Sequence, residues 1–131
     1  VTEIDGVKYY NDSKATNTLA TSFALDSFHQ PTHWLAGGLD RGNGFEELDT
    51  HIHHVKRMYI FGETTEKLTA FAAQHHIPCT ICKDVTDAVI KTASYVEQGE
   101  VVLLSPACAS WDQYPTYEVR GEHFISQVKL I

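Results

Sequence analysis

Three features of the sequence predict an α/β fold of the Rossmann-like type, with helices on both faces of a mostly parallel sheet. Short runs of strand-forming residues alternate with longer segments in which apolar residues recur at helical spacing. The strands predicted at residues 34–36, 59–61 and 101–104 are apolar at every position, as expected when helices cover both faces of a parallel sheet. The Pro and Gly clusters fall at strand ends, where such a fold must turn.

The elements follow one another in a regular order. Asp5-Gly6 predicts a tight turn between strands at residues 1–4 and 7–10, so the chain opens with a hairpin. Thr16 or Asn17 is expected to cap the first helix. Beyond the hairpin, the sequence predicts helices at residues 18–28, 45–55, 64–75, 85–96 and 121–129, and strands at residues 33–36, 58–61, 79–81 and 101–104.

Length and charge limit the number of domains and the kinds of partner. A chain of 131 residues, 43% of them hydrophobic, can bury the core of one compact domain and is too short for two. Because 17 acidic residues outnumber 10 basic ones, nucleic acid is not an expected partner. No apolar run approaches the roughly 20 residues that cross a bilayer, and no secretory signal is present, so we expect a cytoplasmic monomer without a membrane partner. The first residue is Val rather than Met, which indicates processing or a segment of a longer protein.

The cysteines and histidines are not expected to bind metal. Cys79 and Cys82 have the spacing of a redox or zinc pair, but they fall on a strand, where residues three apart point to opposite faces, and no second pair completes a site. We therefore expect all three cysteines of the chain to be structural thiols in a reducing compartment. His51 and His54 share one face of the second predicted helix without a carboxylate at zinc-protease spacing, so we expect them to face solvent.

Three polar loops follow predicted parallel strands, and ligands bind at that edge of open parallel sheets because loops and helix N-termini gather there. Loop 1, residues 11–17, has the sequence Asn-Asp-Ser-Lys-Ala-Thr-Asn, and its lysine and the start of the next helix favour an anion. Loop 2, residues 37–44, contains four glycines with Asp40 and Arg41, but it lacks the glycine order of a dinucleotide site and the Gly-Lys-Ser/Thr of a P-loop. Loop 3, residues 105–112, offers two serines among small residues, a pattern that suits a carboxylate.

In this order and at these separations, the loops resemble the C-terminal domain of the Mur ligases, most closely that of the branch that adds D-glutamate. Residues 11–17 match the family's Asn-Asp-Ser-Lys-Ala-Thr-Asn signature, and residues 104–110, Leu-Ser-Pro-Ala-Cys-Ala-Ser, match a later one. Residues 112–113 and 118–124 continue the pattern. The resemblance covers essentially the whole chain. It implies that residues 1–131 are the amino-acid-binding domain of a three-domain ligase whose UDP-sugar domain and central P-loop domain are absent.

The resemblance also implies a reaction and a set of site residues. In that family the complete enzyme uses ATP and Mg²⁺ to add D-glutamate to UDP-N-acetylmuramoyl-L-alanine through an acyl phosphate, in peptidoglycan synthesis. Without a P-loop or metal ligands, this chain is expected to be inactive alone. The resemblance implies two nucleotide contacts, Asp12 to the ATP ribose and Lys14 to the phosphates. It implies that one carboxylate of D-glutamate is bound by Thr16 and Arg41, and the other by Ser110 and the backbone N–H of Tyr117. The implied catalytic residues are Lys14 and Arg120, with Arg120 near the D-glutamate pocket. Asp40 and Asn43 can share the work of Arg41.

Two alternatives remain open. A free-standing, non-catalytic binding module for an acidic metabolite would bind its ligand tightly in isolation, whereas a ligase domain would bind D-glutamate weakly because closure against other domains supplies part of its site. The C-terminal domain of a folylpolyglutamate synthase-like ligase also accepts glutamate. The motif in loop 3 favours the Mur ligases over this second alternative.

Overall fold

The computed structural model describes residues 2–131 and contains a six-stranded, mostly parallel sheet. Val1, which belongs to the first predicted strand, lies outside the described residues. The strands are β1 (Thr2–Ile4), β2 (Val7–Asn11), β3 (Thr32–Gly37), β4 (Val55–Phe61), β5 (Cys79–Ile81) and β6 (Val101–Leu104). Their order across the sheet is β1-β2-β6-β3-β4-β5. The hairpin pair β1–β2 is antiparallel and the other pairs are parallel, which confirms the predicted fold class and hairpin.

Four α-helices connect the strands: α1 (Thr18–Asp26), α2 (Thr65–Gln74), α3 (Val85–Thr92) and α4 (Tyr117–Val128). Side chains cap three of them, because the first N–H groups of a helix have no partner within it. Asn17, rather than Thr16, caps α1 by accepting a hydrogen bond from the N–H of Ala20 at 2.9 Å. Thr116 caps α4, which therefore begins four residues before the predicted start at residue 121.

The helix predicted at residues 45–55 is wrong. Only a single 3-10 turn forms there, over Glu46–Leu48, and β4 already begins at Val55. Phe45 and Leu48 are buried, so their helix-like spacing reflects a loop anchored to the core at two points. The following residues are mostly weak helix formers, and no side chain caps the turn. His51 and His54 consequently share no helical face, and the Nδ1 atom of His51 lies 2.9 Å from a carboxylate oxygen of Asp26.

The core has two apolar layers, one on each face of the sheet, as the apolar strands predict. Alternate residues of one strand serve the two layers: Leu35 packs beneath α3 and α4, whereas Trp34 packs beneath α1 and α2. The cysteines follow the same alternation, since Cys82 belongs to the first layer and Cys79 packs against the second. All three cysteines are free, as expected, and burial raises the pKa of Cys82 and of Cys108 to about 11. Of the helices formed by residues 2–131, none has the length and apolarity that a bilayer crossing needs.

Candidate functional site

The three polar loops lie side by side at the carboxyl edge of the sheet. β2, β6 and β3 are parallel neighbours in that order, so loop 3, which follows β6, lies between loop 1 and loop 2. The N–H of Ala107 in loop 3 donates to the carbonyl of Ala15 in loop 1 at 3.0 Å. On the other side, the N–H of Leu39 in loop 2 donates to the carbonyl of Ala109 at 2.9 Å. The prediction that all three loops open at one edge is confirmed.

The carboxylate of Asp12 in loop 1 is held through one of its two oxygens by a side chain of loop 3. The hydroxyl of Ser105 donates to Oδ2 of Asp12 at 2.9 Å and lies 2.9 Å from the hydroxyl of Thr21. Burial raises the pKa of Asp12, while the Ser105 hydrogen bond and the nearby Lys14 charge offset part of that rise. Within residues 2–131 no donor bonds Oδ1, so this oxygen can accept a hydrogen bond from a ligand hydroxyl.

Lys14 and Thr16 lie beyond Asp12, at the start of α1. Lys14 is exposed and Thr16 is half-buried. Across the described part of the chain, neither the ammonium nor the hydroxyl makes a hydrogen bond or ion pair to protein. The N-terminal end of α1 adds N–H groups and the positive end of the helix dipole, which together favour an anion. Lys14 borders two open grooves, one of about 580 Å³ beside α1 and one of about 290 Å³ beside α4.

Loop 2 approaches loop 3 closely because its second residue is glycine. Gly38 has φ +152°, and a Cβ at this position would come within 2.3 Å of the carbonyl oxygen of Ala109. The N–H of Gly38 also donates to the hydroxyl of Thr64, just before α2, at 3.2 Å. Glycine is therefore required at this position by both the backbone conformation and the spacing of the two loops.

The first turn of α2 engages the polar groups of loop 2 that stand beside Arg41. Lys67 donates to Oδ1 of Asp40 at 2.8 Å and to the carbonyl of Asn43 at 3.1 Å. The N–H of Asp40 donates to the carboxylate of Glu63 at 3.1 Å. The hydrogen bond from Lys67, a second one from the N–H of Gly42 at 2.8 Å, and the Lys67 charge hold the pKa of Asp40 below its usual value. Asp40 and Asn43, the expected partners of Arg41 in ligand binding, are thus already engaged within the loop.

Arg41 itself keeps its hydrogen-bonding edges free. Its guanidinium lies 5.0 Å from the centroid of the Trp111 ring. Among the residues that the structure describes, no carboxylate or carbonyl accepts a hydrogen bond from this side chain. A guanidinium presents its N–H donors in its own plane, so contact with a ring face leaves them available to a carboxylate.

Loop 3 contains a buried hydroxyl that has no partner. Ser110 is 2% exposed, and its Oγ makes no hydrogen bond to any described residue. Oδ1 of Asp112 is likewise buried and unpaired, while Oδ2 accepts a hydrogen bond from the N–H of Glu63 at 3.0 Å. Burial is the main cause that raises the pKa of Asp112. Buried polar groups are paired in the great majority of cases, and the exceptions tend to mark functional positions.

Tyr117 begins α4, and its backbone faces loop 1. The hydroxyl of Ser13 donates to the carbonyl of Tyr117 at 2.7 Å. As the first residue of the helix, Tyr117 has a backbone N–H without an intrahelical partner. The capping oxygen of Thr116 is used by the N–H of Val119 instead. Among residues 2–131 no other acceptor takes a hydrogen bond from the N–H of Tyr117, which leaves this donor available to a ligand.

Arg120, which the resemblance implies as a catalytic residue near the same pocket, is buried inside the domain. It is 0% exposed and donates to Ser13 and Cys108. Burial lowers the pKa of Arg120 to about 10. Three of its five N–H groups donate to these buried acceptors, so Arg120 joins loops 1 and 3 to α4 inside the domain.

The sequence did not indicate the roles that three structural features play at this edge. Ser105 orients Asp12, Trp111 contacts Arg41, and the first turn of α2 braces loop 2. The sequence did contain an indication of the role of α2, because the predicted parallel strand at residues 58–61 is followed directly by Gly62. Its following turn must open at the same edge as the three loops.

Comparison with known proteins bears on the family. A family model described as "Mur ligase, glutamate ligase domain" matches residues 1–108. The chain is 95% identical over 131 residues to the UDP-N-acetylmuramoylalanine--D-glutamate ligase of Macrococcus caseolyticus, covering 100% of this chain and 29% of that protein. It is 60% identical over 118 residues to the enzyme of the same name from Staphylococcus saprophyticus, covering 90% and 26%. The chain thus spans less than a third of the length of the curated relatives it matches.

Two solved structures share the fold. One is a domain from Haemophilus ducreyi, assigned to a UDP-N-acetylmuramate:L-alanyl-gamma-D-glutamyl-medo-diaminopimelate ligase, with TM-score 0.64, 13% identity, and coverage of 95% of this chain and 94% of that one. The other is the UDP-N-acetylmuramate-alanine ligase of Thermotoga maritima, with TM-score 0.57, 9% identity, and coverage of 96% and 27%. At these identities the likeness concerns the fold alone, and it confirms the α/β class.

Proposed function

We propose, from the premise that this chain belongs to the Mur ligase family through its glutamate ligase domain, that it is the C-terminal domain of an ATP-dependent ligase that adds D-glutamate to UDP-N-acetylmuramoyl-L-alanine in peptidoglycan synthesis. Its two reported sequence relatives carry D-glutamate in their names. One structural observation carries the proposal. The buried hydroxyl of Ser110 has no hydrogen-bond partner among residues 2–131 and lies in the loop between those of Arg41 and Lys14.

Four hydrogen-bonding groups are proposed to bind the two carboxylates of D-glutamate. In this proposal Thr16 and Arg41 bind one carboxylate, and Ser110 and the N–H of Tyr117 bind the other. The free donors of Arg41 and the unpaired Oγ of Ser110 support it, because a bound carboxylate supplies the acceptor that each group lacks. Because both carboxylates of the amino acid are bound, the position of its amine is fixed, which lowers the entropic barrier to attack.

Asp12 and Lys14 are the proposed nucleotide contacts. Oδ1 of Asp12 is available to a ribose hydroxyl while Ser105 holds Oδ2, and the exposed ammonium of Lys14 is available to phosphates. Negative charge builds up when ATP phosphorylates the substrate carboxylate and again when the D-glutamate amine displaces phosphate from the acyl phosphate. The positive charge of the Lys14 ammonium beside that negative charge stabilises it.

The remaining parts of the reaction belong to other domains of the proposed enzyme. Residues 2–131 contain no group of three or more His, Cys, Asp or Glu side chains that could hold a metal ion. We therefore assign Mg²⁺, the P-loop and the UDP-sugar pocket to the rest of a three-domain, cytoplasmic and monomeric enzyme. Residues 1–131 form its amino-acid-binding domain and have no ligase activity alone.

A chimaera tests the proposal. The chain replaces the matching 131 residues of the Macrococcus caseolyticus ligase, to which it is 95% identical. Phosphate release is then measured with ATP, UDP-N-acetylmuramoyl-L-alanine, and D- or L-glutamate. We expect the chimaera to use D-glutamate and the isolated chain to show no turnover. A folded but inactive chimaera beside an active parent would refute the function, and ligation by the isolated chain would refute the division into domains.

The same materials test the two alternatives. Micromolar binding of D-glutamate to the isolated chain, measured by titration calorimetry, would favour a free-standing binding module. A preference of the chimaera for L-glutamate would favour the alternative that the chain is the C-terminal domain of a folylpolyglutamate synthase-like ligase. Weak binding in isolation, together with selective use of D-glutamate by the chimaera, is the result that the proposal requires.

A further inference from the structure

Trp111 is a large aromatic side chain that the fold leaves outside its core. It is 64% exposed, whereas Trp34, the other tryptophan, is 0% exposed. Trp111 directly follows Ser110, so one turn of loop 3 carries the buried hydroxyl inward and the indole ring outward. Such exposure means that the ring contributes little to the folding of this domain.

The ring nevertheless contacts one group of the candidate site. The guanidinium of Arg41 lies 5.0 Å from its centroid, within the range of a cation–π interaction. Arg41 belongs to loop 2 and Trp111 to loop 3, so the contact spans the same gap as the Leu39 to Ala109 hydrogen bond. In the part of the chain that the structure describes, the Arg41 side chain makes no hydrogen bond and no ion pair, and its guanidinium has a cation–π contact with Trp111.

We propose that Trp111 is a positioning residue for Arg41, holding the guanidinium over loop 3 so that its free N–H edge meets the substrate carboxylate that Thr16 also binds. An arginine on a glycine-rich loop samples many rotamers, and fixing it on binding costs conformational entropy. An aromatic platform restrains the guanidinium in advance while leaving its in-plane donors unused. This inference rests on the proposed function, because it takes Arg41 as a D-glutamate contact.

The experiment uses the chimaera described above and compares the variants Trp111→Leu and Trp111→Phe. For Trp111→Leu we expect the KM for D-glutamate to rise about two- to fivefold, the range that an exposed cation–π contact supports. Trp111→Phe keeps a weaker ring face and should give an intermediate KM. The KM for ATP should change much less than that for D-glutamate, because Trp111 acts only through the amino-acid contact.

A double-mutant cycle separates positioning from a structural effect. Arg41→Met should raise the KM for D-glutamate by more than Trp111→Leu does, and adding Trp111→Leu to Arg41→Met should raise it no further. The matched control is Tyr95→Leu, which removes another arginine–aromatic contact, 3.6 Å from Arg57 to the Tyr95 ring, at the opposite end of the sheet. This control should leave the KM for D-glutamate unchanged.

The outcomes distinguish the inference from the function on which it rests. Ligation of D-glutamate by the unmodified chimaera decides the function. If that chimaera is active, an unchanged KM in Trp111→Leu, or an equal rise in the presence and absence of Arg41, overturns the role of Trp111 alone. If the unmodified chimaera does not use D-glutamate, both proposals are overturned.

Discussion

Arg120 and Ser13 are joined by two hydrogen bonds behind the carboxyl edge of the sheet. Nε of Arg120 donates to the hydroxyl of Ser13 at 2.9 Å, and Nη2 donates to the Ser13 carbonyl at 2.7 Å. Nη1 donates to the carbonyl of Cys108 at 2.9 Å. Among residues 2–131 no carboxylate is within ion-pair distance of this buried guanidinium. The buried carbonyls of Ser13 and Cys108 receive their hydrogen bonds from this guanidinium, so its loss leaves them unpaired and disturbs the loops that it joins.

Arg120→Met should therefore destabilise the chain by about 2–4 kcal/mol, because the buried carbonyls of Ser13 and Cys108 lose their donors. Arg120→Lys should recover little of this loss, since an ammonium cannot reproduce the planar fork of donors. Equilibrium urea unfolding of the chain measures both effects. The matched control is Arg41→Met, an exposed arginine that we expect to shift stability by no more than about 0.5 kcal/mol. An Arg120→Met chain as stable as the parent would contradict the bracing role.

Ser110→Ala should separate stability from binding. The hydroxyl is buried without a partner, so its removal should leave the free energy of unfolding unchanged or raise it by up to about 1 kcal/mol. In the chimaera the same change should raise the KM for D-glutamate about tenfold, which corresponds to ~1.4 kcal/mol for one lost bond to a carboxylate. Urea unfolding and steady-state kinetics provide the two readouts. A destabilised variant with an unchanged KM would be the opposite of this expectation.

Ser105→Ala should affect the nucleotide rather than the amino acid. Ser105 is fully buried and holds one oxygen of Asp12, so its loss frees the carboxylate to rotate and lets burial raise the pKa of Asp12 further. In the chimaera we expect the KM for ATP to rise about tenfold, with the KM for D-glutamate little changed. Ser94→Ala, at an exposed serine near the opposite end of the sheet, is the control and should change neither constant.

A buried histidine network at that opposite end should make stability depend on pH. His33 lies 2.8 Å from the hydroxyl of Tyr59 through Nδ1 and 2.8 Å from the carboxylate of Glu100 through Nε2. Burial lowers the pKa of His33 and raises that of Tyr59. Burial would also raise the pKa of Glu100, but hydrogen bonds from Lys56 and His33 outweigh it and the pKa is lowered. Neutral His33 therefore donates to an ionised Glu100 and accepts from Tyr59.

The direction of the pH effect follows from these shifts. The pKa of His33 is lower in the folded chain than its ordinary value of 6.5, so its contribution to stability is complete above pH 6.5 and is lost as the pH falls toward the folded-state value. We expect urea midpoints to decrease on acidification from pH 7.5 to 5.5, and His33→Gln to flatten that decrease. Parallel pH profiles for the parent and His33→Gln would show that another group is responsible.

The sequence predicted the sheet well because the signal for a buried parallel strand is continuous. Residues 34–36 and 101–104 are apolar at every position, and each is covered on both faces. The prediction of a helix at residues 45–55 was wrong because the signal used there, apolar spacing, is ambiguous. Phe45 and Leu48 are buried at helical spacing, and spacing alone cannot distinguish a helix from a loop that is anchored twice.

The candidate site was predictable where it depends on topology and unpredictable where it depends on side-chain contacts. Loops after parallel strands must share an edge, so the convergence of loops 1, 2 and 3 followed from the strand assignments. The inward burial of Arg120 depends on Ser13, which is 107 residues away in sequence. The contact between Arg41 and Trp111 likewise joins loops that are distant along the chain, and local sequence patterns do not predict such long-range contacts.

The position of β6 has a consequence for how this domain is made. β6 lies between β2 and β3, although it follows the nearer of them, β3, by about half of the chain. During synthesis on the ribosome, the N-terminal hairpin must therefore wait, without its lateral partner, until residues 101–104 emerge and join it to the rest of the sheet. Such long-range closure slows folding. Late insertion of β6 brings the three loops of the candidate site together in the same step, so in a nascent chain these loops meet only when the sheet becomes continuous.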